Sequence, residues 1–392
     1  MKGRINQNVL DIPPSGIRKF FDVVKHMEGA ISLGVGEPDF PTPWHIIEAA
    51  IYSLEQGETH YTSNWGTIEL RTSISKYMRT RFNLQYNPED QICITVGASE
   101  GIDLAMRALI TPGDKVLIPE PSYVSYYPCV KLAGGVPIAV PTSADVAFKI
   151  LPEVLAPLID EKTTLLLLPY PNNPTGGIMT REDLERIAPI ILDNDLIVIS
   201  DEIYGELTYT DDRHVSIAEL DNMYERTVVL SGFSKSFAMT GWRVGFIAGH
   251  PEIIGAMVKI HQYTMLCAPI MSQKGAREGL ENGFTNNFAT VAKMKRSYNR
   301  RRRVVLAAFR NMGLDCFEPE GAFYTFPCIK STGMTSLEFC ERLLEEEKVA
   351  VVPGTAFGAM GEGYVRASYA YSMDSLKEAL VRIERFVKRH SR

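Results

Sequence analysis

A single lysine stands among small and hydroxylated residues in the stretch from Ser231 to Phe246. Lys235 directly follows Ser234 and precedes Arg243 by eight positions. Burial among such neighbours lowers the pKa of a lysine and frees its amine to attack an aldehyde. The arginine and the hydroxyl groups suit a phosphate. An aldehyde and a phosphate on one molecule describe pyridoxal 5′-phosphate, although the same residues could form a buried turn with one lysine that reaches water.

A second candidate follows a predicted strand at residues 91–96. Functional groups of a parallel sheet gather just past the carboxyl ends of its strands. Here Ala98 and Ser99 stand at the start of a predicted helix, where exposed backbone N–H groups and the helix dipole favour a phosphate. Ser99 could equally be an ordinary helix cap.

Two more predicted strands end in residues that suit a pyridine ring. After the strand at 164–168, Asn173 lies in a proline-flanked turn, and its amide could donate to a phenolate or carboxylate oxygen. After the strand at 196–200, Asp201 should be desolvated and therefore needs a cationic partner such as a protonated pyridine nitrogen. Tyr204 could donate to the neighbouring ring oxygen.

Short apolar runs alternate with helical patterns in the middle of the chain, which predicts an α/β fold with a buried, mostly parallel sheet between helices. The seven predicted strands are 91–96, 115–118, 136–140, 164–168, 196–200, 227–230 and 244–248. A smaller α+β domain is predicted from a helix at 287–312, strands at 323–327, 349–352 and 364–368, and a closing helix at 373–388. We expect a large domain at 46–284 and a small domain built from 1–45 and 285–392.

The composition narrows the class of protein. The chain has 392 residues, of which 45% are hydrophobic and 22% charged, as in globular proteins with two domains. Its net charge of −6 argues against a nucleic-acid partner, and we expect the basic run at 300–303 to be a solvated helix face or an interface. The six cysteines form no C-x-x-C pair, which favours a reduced protein without a zinc site. The polar first ten residues and the lack of a long apolar run predict a cytoplasmic protein without a membrane segment.

Three motifs together resemble those of class I/II aminotransferases of pyridoxal-phosphate fold type I. They are Asn-Pro-Thr-Gly at 173–176, Asp-Glu-Ile-Tyr at 201–204, and Ser-Lys followed by Arg at 234–243. The resemblance extends from the Gly-Glu-Pro-Asp-Phe segment at 36–40 to residues 364–369. It is closest to the aspartate/aromatic branch, and within it to bacterial enzymes for aromatic or N-acetyl-diaminopimelate substrates. It implies pyridoxal phosphate as the cofactor.

The resemblance also implies roles for the site residues. Lys235 would form the imine with the cofactor and later move the substrate proton. Asp201 would keep the pyridine nitrogen protonated, whereas Tyr204 and Asn173 would bind the ring oxygen. Tyr123 would stack on the face of the ring.

Further residues would hold the phosphate and the substrate. The phosphate would be bound by Ala98, Ser99, Ser234, Arg243 and, from the second subunit of a homodimer, Tyr61. The substrate would be bound by Gly36, Asn173, Arg366 and Ile17. Relatives often carry Ser or Thr three residues before the lysine, where this chain has Gly232, and Ser231 could replace that hydroxyl.

The implied reaction moves an α-amino group between an L-amino acid and a 2-oxo acid such as 2-oxoglutarate, by ping-pong kinetics through pyridoxamine phosphate. A carbon–sulfur β-lyase of the same fold is the alternative, since fold does not settle the reaction. A cofactor-binding regulatory protein is disfavoured, because such proteins usually carry an added DNA-binding segment. Ile17, together with Tyr263 or its neighbours from the other subunit, would form an apolar wall suited to aromatic or large neutral substrates. Arg18 or Lys19 could instead bind a distal carboxylate.

Overall fold

The computed structural model describes residues 2–13 and 27–391. Ile17, Arg18 and Lys19, which we expected near the substrate, lie outside the described residues. The α-helices of the described part are α1 (Gln7–Leu10), α2 (Trp44–Glu55), α3 (Ile68–Phe82), α4 (Ala98–Leu109), α5 (Tyr126–Leu132), α6 (Pro152–Leu155), α7 (Arg181–Asp193), α8 (Pro251–Thr264), α9 (Ile270–Asn286), α10 (Ala289–Asn311), α11 (Ser336–Glu347) and α12 (Met373–His390).

The β-strands of the same part form three sheets. In chain order they are β1 (Ile31–Ser32), β2 (Ile92–Thr95), β3 (Lys115–Glu120), β4 (Val136–Pro141), β5 (Thr163–Leu168), β6 (Ile197–Asp201), β7 (Thr227–Gly232), β8 (Gly245–Ala248), β9 (Tyr324–Thr325), β10 (Val349–Ala350), β11 (Val352–Pro353) and β12 (Val365–Ser368).

A seven-stranded sheet has the order β2-β8-β7-β6-β5-β3-β4. β8 pairs antiparallel with β2 and β7, whereas the other neighbouring strands are parallel. All seven predicted strands are present, so the predicted α/β fold with a mostly parallel sheet is confirmed. Because β8 is reversed, it begins at the edge where the other six strands end.

Helices cover both faces of this sheet, which explains the nearly continuous apolar runs of its strands. Leu165 and Leu167 of β5 pack in a buried cluster with residues of α4 and α8. Leu166 and Leu168 point to the opposite face and pack with residues of α7. Successive side chains of a strand alternate between the two faces, so a strand buried on both faces must be apolar at every position.

A smaller α+β unit joins both ends of the described chain. β1 pairs in parallel with β10, so that Ile31 lies opposite Val349. β11, β12 and β9 form an antiparallel sheet. α10, α11 and α12 contribute to the core of this unit, which includes Leu33, Phe339 and Phe386. A division at 46–284 against 1–45 and 285–392 stays a prediction.

The basic run at 300–303 differs from our expectation. Arg300 and Arg303 are exposed, but Arg301 and Arg302 are buried. Arg301 Nη1 lies 2.7 Å from a carboxylate oxygen of Asp39, and Arg302 Nη1 donates to the carbonyl oxygen of Pro319 at 2.8 Å. Half of the run is therefore structural, because α10 packs against the chain on more than one side.

All six cysteines are free thiols. Within 2–13 and 27–391, no group of His, Cys, Asp and Glu side chains is arranged to hold a metal ion. The helices of these residues are too short or too polar for any of them to cross a bilayer.

Candidate active site

A cavity of about 580 Å³ opens at the carboxyl edge of the seven-stranded sheet. The ends of β2, β5, β6 and β7 form one wall, and the smaller unit supplies the other with residues 34–37, Tyr324 and Arg366. Arg243 reaches the same edge because it lies two residues before the start of the reversed strand β8. The predicted site residues that line the cavity are Gly36, Ala98, Ser99, Tyr123, Asn173, Asp201, Tyr204, Ser234, Lys235, Arg243 and Arg366.

Lys235 lies just past the end of β7, with its amine directed into the cavity. Its Nζ donates a hydrogen bond to the carbonyl oxygen of Gly36 at 2.5 Å. Burial lowers the pKa of Lys235 to about 8, against the opposing effect of the Glu37 carboxylate. The guanidinium groups of Arg366 and Arg243 contribute to this lowering of the pKa. The environment of the Lys235 amine therefore makes its uncharged form more accessible than that of an exposed lysine.

Asp201 is the last residue of β6 and is only 6% exposed. Its Oδ2 accepts a hydrogen bond from the Tyr126 hydroxyl at 2.8 Å, and its Oδ1 accepts from the Ile203 N–H at 3.2 Å. Burial raises the pKa of Asp201, whereas these two donors counteract the rise. Tyr126 was missed by our sequence reasoning, although it stands one helical turn after Tyr123. The pair leaves a buried carboxylate in a fixed orientation at the cavity wall.

The loop between β2 and α4 approaches Arg243 closely. Gly97 precedes the first residue of α4 with a φ of 77°, and a Cβ there would lie 2.6 Å from Nη2 of Arg243. Ala98 and Ser99 begin α4, so their N–H groups are among those without a partner inside the helix. A positive guanidinium beside a helix N-terminus forms a suitable site for a phosphate.

The two asparagines that follow β5 have different tasks. Oδ1 of Asn172 accepts hydrogen bonds from the N–H and the hydroxyl of Thr175, at 3.2 and 2.9 Å, which holds the turn. Oδ1 of Asn173 accepts from Nη1 of Arg366 at 2.8 Å, and Asn173 lines the cavity. Because its oxygen faces the arginine, the amide nitrogen of Asn173 remains a donor for a bound oxygen.

Arg366 extends from β12 and is only 2% exposed. Its Nη2 donates to the carbonyl oxygen of Gly34, and its guanidinium carbon lies 4.5 Å from the ring centre of Tyr324 and 4.8 Å from that of Phe357. Burial lowers its pKa. Among the described residues, Nε of Arg366 has no acceptor. Nη1 and Nη2 each carry a second hydrogen and the guanidinium lines the cavity, so it can donate to an anionic ligand there.

Tyr204 meets a residue that we did not expect in the site. Its hydroxyl lies 2.7 Å from that of Tyr324 in β9. A Cβ at Gly36 would lie 2.4 Å from the same Tyr324 hydroxyl, so glycine is required there by close approach. Tyr324 stands between Phe323 and Phe326 in the sequence, and an aromatic core residue was the natural interpretation of that run.

The role considered for Ser231 differs from its position in the structure. The Ser231 hydroxyl donates to the carbonyl oxygen of Glu202 at 3.4 Å, and Ser231 does not line the cavity. The following Gly232 lies opposite Gly245 in the β7–β8 pair, where a Cβ would be 2.9 Å from Cα of Gly245. The chain therefore has glycine at 232 because the neighbouring strand leaves no room for a side chain.

Two predicted site residues lie on the surface of the chain. Tyr61 is 84% exposed and Tyr263 is 87% exposed, and neither lines the cavity. Asn64 donates from Nδ2 to the carbonyl oxygen of Leu266 at 2.8 Å, which joins the Tyr61 loop to the segment that follows α8. In its own chain, Tyr61 therefore does not contribute to the cavity.

The residues of the cavity fit pyridoxal phosphate. Lys235 provides the amine, Asp201 provides a buried acceptor for a protonated ring nitrogen, and Gly97 leaves a cradle beside Arg243. The guanidinium of Arg366, which lines the same cavity, suits a substrate carboxylate. One cavity thus carries a group for each reactive part of the cofactor and for the substrate.

Residues 28–383 match the family model for aminotransferase class I and II. The putative aminotransferase YugH of Bacillus subtilis is 53% identical over 99% of both chains. The aspartate aminotransferase of Pyrococcus abyssi is 46% identical over 96% of both chains. A probable N-acetyl-LL-diaminopimelate aminotransferase of Bacillus subtilis is 43% identical over 99% of this chain and 96% of its own.

The fold is shared with solved structures as well. The crystal structure of an aromatic aminotransferase from Pyrococcus horikoshii superposes with a TM-score of 0.90 at 44% identity. The match covers 94% of this chain and 99% of that one. Relatives with different amino acids in their names are thus similar to this chain along nearly its whole length.

Proposed function

The chain belongs to the class I and II aminotransferase family, and from this premise we propose which residues carry out the reaction and on which substrates. It is a pyridoxal-phosphate-dependent transaminase, which moves an amino group between an amino acid and a 2-oxo acid. The names of its relatives do not favour the carbon–sulfur lyase. The observation that carries the residue assignment is the convergence of Lys235, Asp201 and Arg366 on one cavity.

When bound, pyridoxal phosphate supplies an aldehyde that condenses with amines and a protonated ring that accepts electrons. Asp201 holds the proton on the ring nitrogen, since its carboxylate is fixed by Tyr126 and is shielded from water. The phosphate would be bound by Arg243, Ser234 and the N–H groups of Ala98 and Ser99. Tyr123 would pack on the ring, and Tyr204 and Asn173 would donate to the ring oxygen.

Lys235 acts first as the nucleophile toward the aldehyde and then as the proton carrier. Its pKa of about 8 leaves roughly one amine in ten uncharged at pH 7, far more than for an ordinary lysine. With the cofactor and an amino acid bound, Nζ of Lys235 would remove the proton from the substrate Cα as a general base and would return it as a general acid. One side chain would therefore serve both half-reactions.

Arg366 binds the carboxylate that amino acids and 2-oxo acids share. Its planar guanidinium is already oriented by Asn173 and by the carbonyl oxygen of Gly34. Two parallel N–H groups of an arginine match the two oxygens of a carboxylate. The same clamp serves the donor and the acceptor substrate, because both carry this group at the same position.

The Arg366→Lys variant is expected to raise KM for the amino acid and for the 2-oxo acid alike, on the order of tenfold to a hundredfold, because lysine cannot form the two-pronged contact. Steady-state kinetics with each substrate varied in turn measures both KM values. Arg300→Lys, an exposed position on α10, is the matched control. Unchanged KM for both substrates would mean that another group binds the carboxylate.

We infer a donor of the aspartate, aromatic or N-acetyl-diaminopimelate type, with 2-oxoglutarate as the acceptor. The names of the relatives support this range. The positively charged residues that line the described cavity are Lys235, Arg243 and Arg366. They are already assigned to the aldehyde, the phosphate and the shared carboxylate. An aromatic side chain needs no further cation, whereas a second carboxylate needs one from outside the described lining.

Adding single amino acids to the cofactor-loaded protein tests these proposals. With no oxo acid present, a true donor should shift the visible absorption of the bound cofactor, and the amino acids that do so define the substrate class. Glutamate, aspartate, phenylalanine, tyrosine and an acetylated diaminopimelate form the panel. No shift with any of them, together with pyruvate release from cystathionine, would contradict transamination.

We infer a cytoplasmic homodimer in which Tyr61 reaches the phosphate of the other subunit. Exposed apolar side chains on α2, on the Tyr61 loop and around the end of α8 support this arrangement. These side chains are Trp44, Tyr52, Tyr61, Tyr263 and Met265. The free cysteines support a reducing compartment.

Mixing two variants tests the dimer. Lys235→Ala and Tyr61→Ala are each expected to be impaired, but a heterodimer of the two contains one site with both native residues. Subunit exchange should therefore restore activity above that of either variant alone. Unrestored activity in a mixture that has exchanged, or an active monomer in sedimentation, would contradict the action of Tyr61 across the interface.

A further inference from the structure

A fully buried histidine lies behind the proposed phosphate site. His261, in α8, is 0% exposed. Its Nδ1 lies 2.6 Å from Oε1 of Glu100, in the first turn of α4. Since an ionised carboxylate can only accept hydrogen bonds, Nδ1 carries the proton in this contact. The imidazole therefore fixes the orientation of the Glu100 side chain.

The second oxygen of Glu100 reaches the loop that forms the phosphate site. Its Oε2 accepts a hydrogen bond from the N–H of Val96 at 2.5 Å. The hydroxyl of Thr95 donates to the carbonyl oxygen of Gly97 at 3.0 Å, so the loop is held on both sides. Glu100 is thus a bridge between a buried side chain of α8 and the backbone that precedes Ala98 and Ser99.

A carboxylate at this position is unexpected on electrostatic grounds alone. It lies one and two residues from Ser99 and Ala98, which we assign to an anion, and like charges repel. The positive end of the α4 dipole stabilises the Glu100 carboxylate, but it would stabilise a bound phosphate as well. The hydrogen bonds of the Glu100 carboxylate with Val96 and His261 offset this repulsion.

We propose that Glu100 and His261 are positioning residues that hold the backbone of residues 96–99 in the shape that binds the cofactor phosphate. This inference rests on the proposed function, because it assumes that the phosphate binds at the start of α4. Neither side chain touches the cofactor. Their contribution should therefore concern the phosphate group, and not the aldehyde or the ring.

Comparing pyridoxal phosphate with pyridoxal, which lacks the phosphate, isolates this contribution. Equilibrium dissociation constants of both ligands are measured on the cofactor-free full-length protein. In Glu100→Ala the constant for pyridoxal phosphate should rise on the order of tenfold or more, as expected for the loss of a hydrogen bond to a charged group. The constant for pyridoxal should change less than about twofold, since its contacts do not depend on the loop.

Two further variants separate the bridge from charge and from helix stability. Glu100→Gln keeps an oxygen for Val96, and its amide can donate to Nδ1 of His261 when the imidazole proton moves to the unpartnered Nε2, so this variant should retain most of the affinity for pyridoxal phosphate. Asp103→Ala removes a carboxylate one turn further along α4, which forms an exposed ion pair with Arg107 at 3.5 Å, and should bind like the wild type. Amide exchange of residues 95–99 should be faster in Glu100→Ala than in Asp103→Ala, with or without cofactor.

Each result decides between the proposals. An equal loss of affinity for both ligands in Glu100→Ala would reduce Glu100 to a general structural role and overturn the inference. Unchanged or tighter binding of pyridoxal phosphate in that variant would overturn it as well, because repulsion would then dominate. A wild-type protein that takes up neither ligand would instead overturn the proposed function. In that case amide exchange still tests Glu100, because an unchanged exchange rate in Glu100→Ala would show that Glu100 does not hold the loop.

Discussion

Transamination by the Lys235→Ala variant is expected to fall by at least ~10⁴-fold, because the change removes both the nucleophile and the carrier of the substrate proton. The variant should still bind pyridoxal phosphate, since Asp201, Ser234 and Arg243 remain. Turnover with the best donor measures the loss, and the absorption spectrum reports whether the cofactor is bound without an imine. An added small amine should restore part of the rate, because it can carry the proton in place of Nζ.

Lys115→Ala is the matched control. Lys115 begins β3, at the edge of the sheet opposite to the cavity, and its only close charged contact among the described residues is Asp160. The control should retain wild-type turnover. Residual activity of Lys235→Ala near that of the control would show that another amine carries the reaction. Steady-state lines that intersect for the wild type, where ping-pong kinetics requires parallel lines, would contradict the two-stage role of the lysine.

The Asp201→Asn variant is expected to slow the chemical step by about 10²–10³-fold, the range found when a preorganised electrostatic partner is removed. A neutral amide cannot hold the proton on the ring nitrogen, so the ring accepts electrons less well. Affinity for the amino acid should change little, because Arg366 is untouched. A rapid-mixing measurement of the first half-reaction separates the two quantities.

Asp195→Asn provides the comparison for this variant. Asp195 lies before β6, so it stands near the other end of the strand that carries Asp201, and it forms an exposed ion pair with Arg226 at 2.9 Å. Its φ of 51° is also tolerated by asparagine. A half-reaction of Asp201→Asn as fast as that of Asp195→Asn would refute the proposed role of Asp201.

The strands of the large sheet were predictable because burial on both faces demands an apolar residue at every position. Leu165 to Leu168 illustrate this, since alternate members pack on opposite helices. The direction of β8 was not predictable, because a short apolar strand has the same pattern in either direction. The reversal matters, since it brings Arg243 to the edge of the sheet where the other strands end.

The site was predictable where polar residues interrupt an apolar pattern, as Asp201 and Lys235 do. Tyr126 and Tyr324 were missed for the opposite reason, because an aromatic residue within an apolar run is usually part of the core. Only tertiary contact reveals that their hydroxyls meet Asp201 and Tyr204. The pairing of Glu100 with His261, 161 residues apart, could not be predicted from spacing either.

The pairing of β1 with β10 determines when parts of the cavity can form during synthesis of the chain. Ile31 leaves the ribosome early, yet its partner Val349 follows only after more than 300 further residues. The segment that carries Gly34 and Gly36 must therefore wait through most of synthesis before it is anchored, while the large sheet has all of its strands by Ala248. Arg366 emerges later still, so the nascent chain can complete the cofactor side of its cavity well before it gains the clamp for substrate.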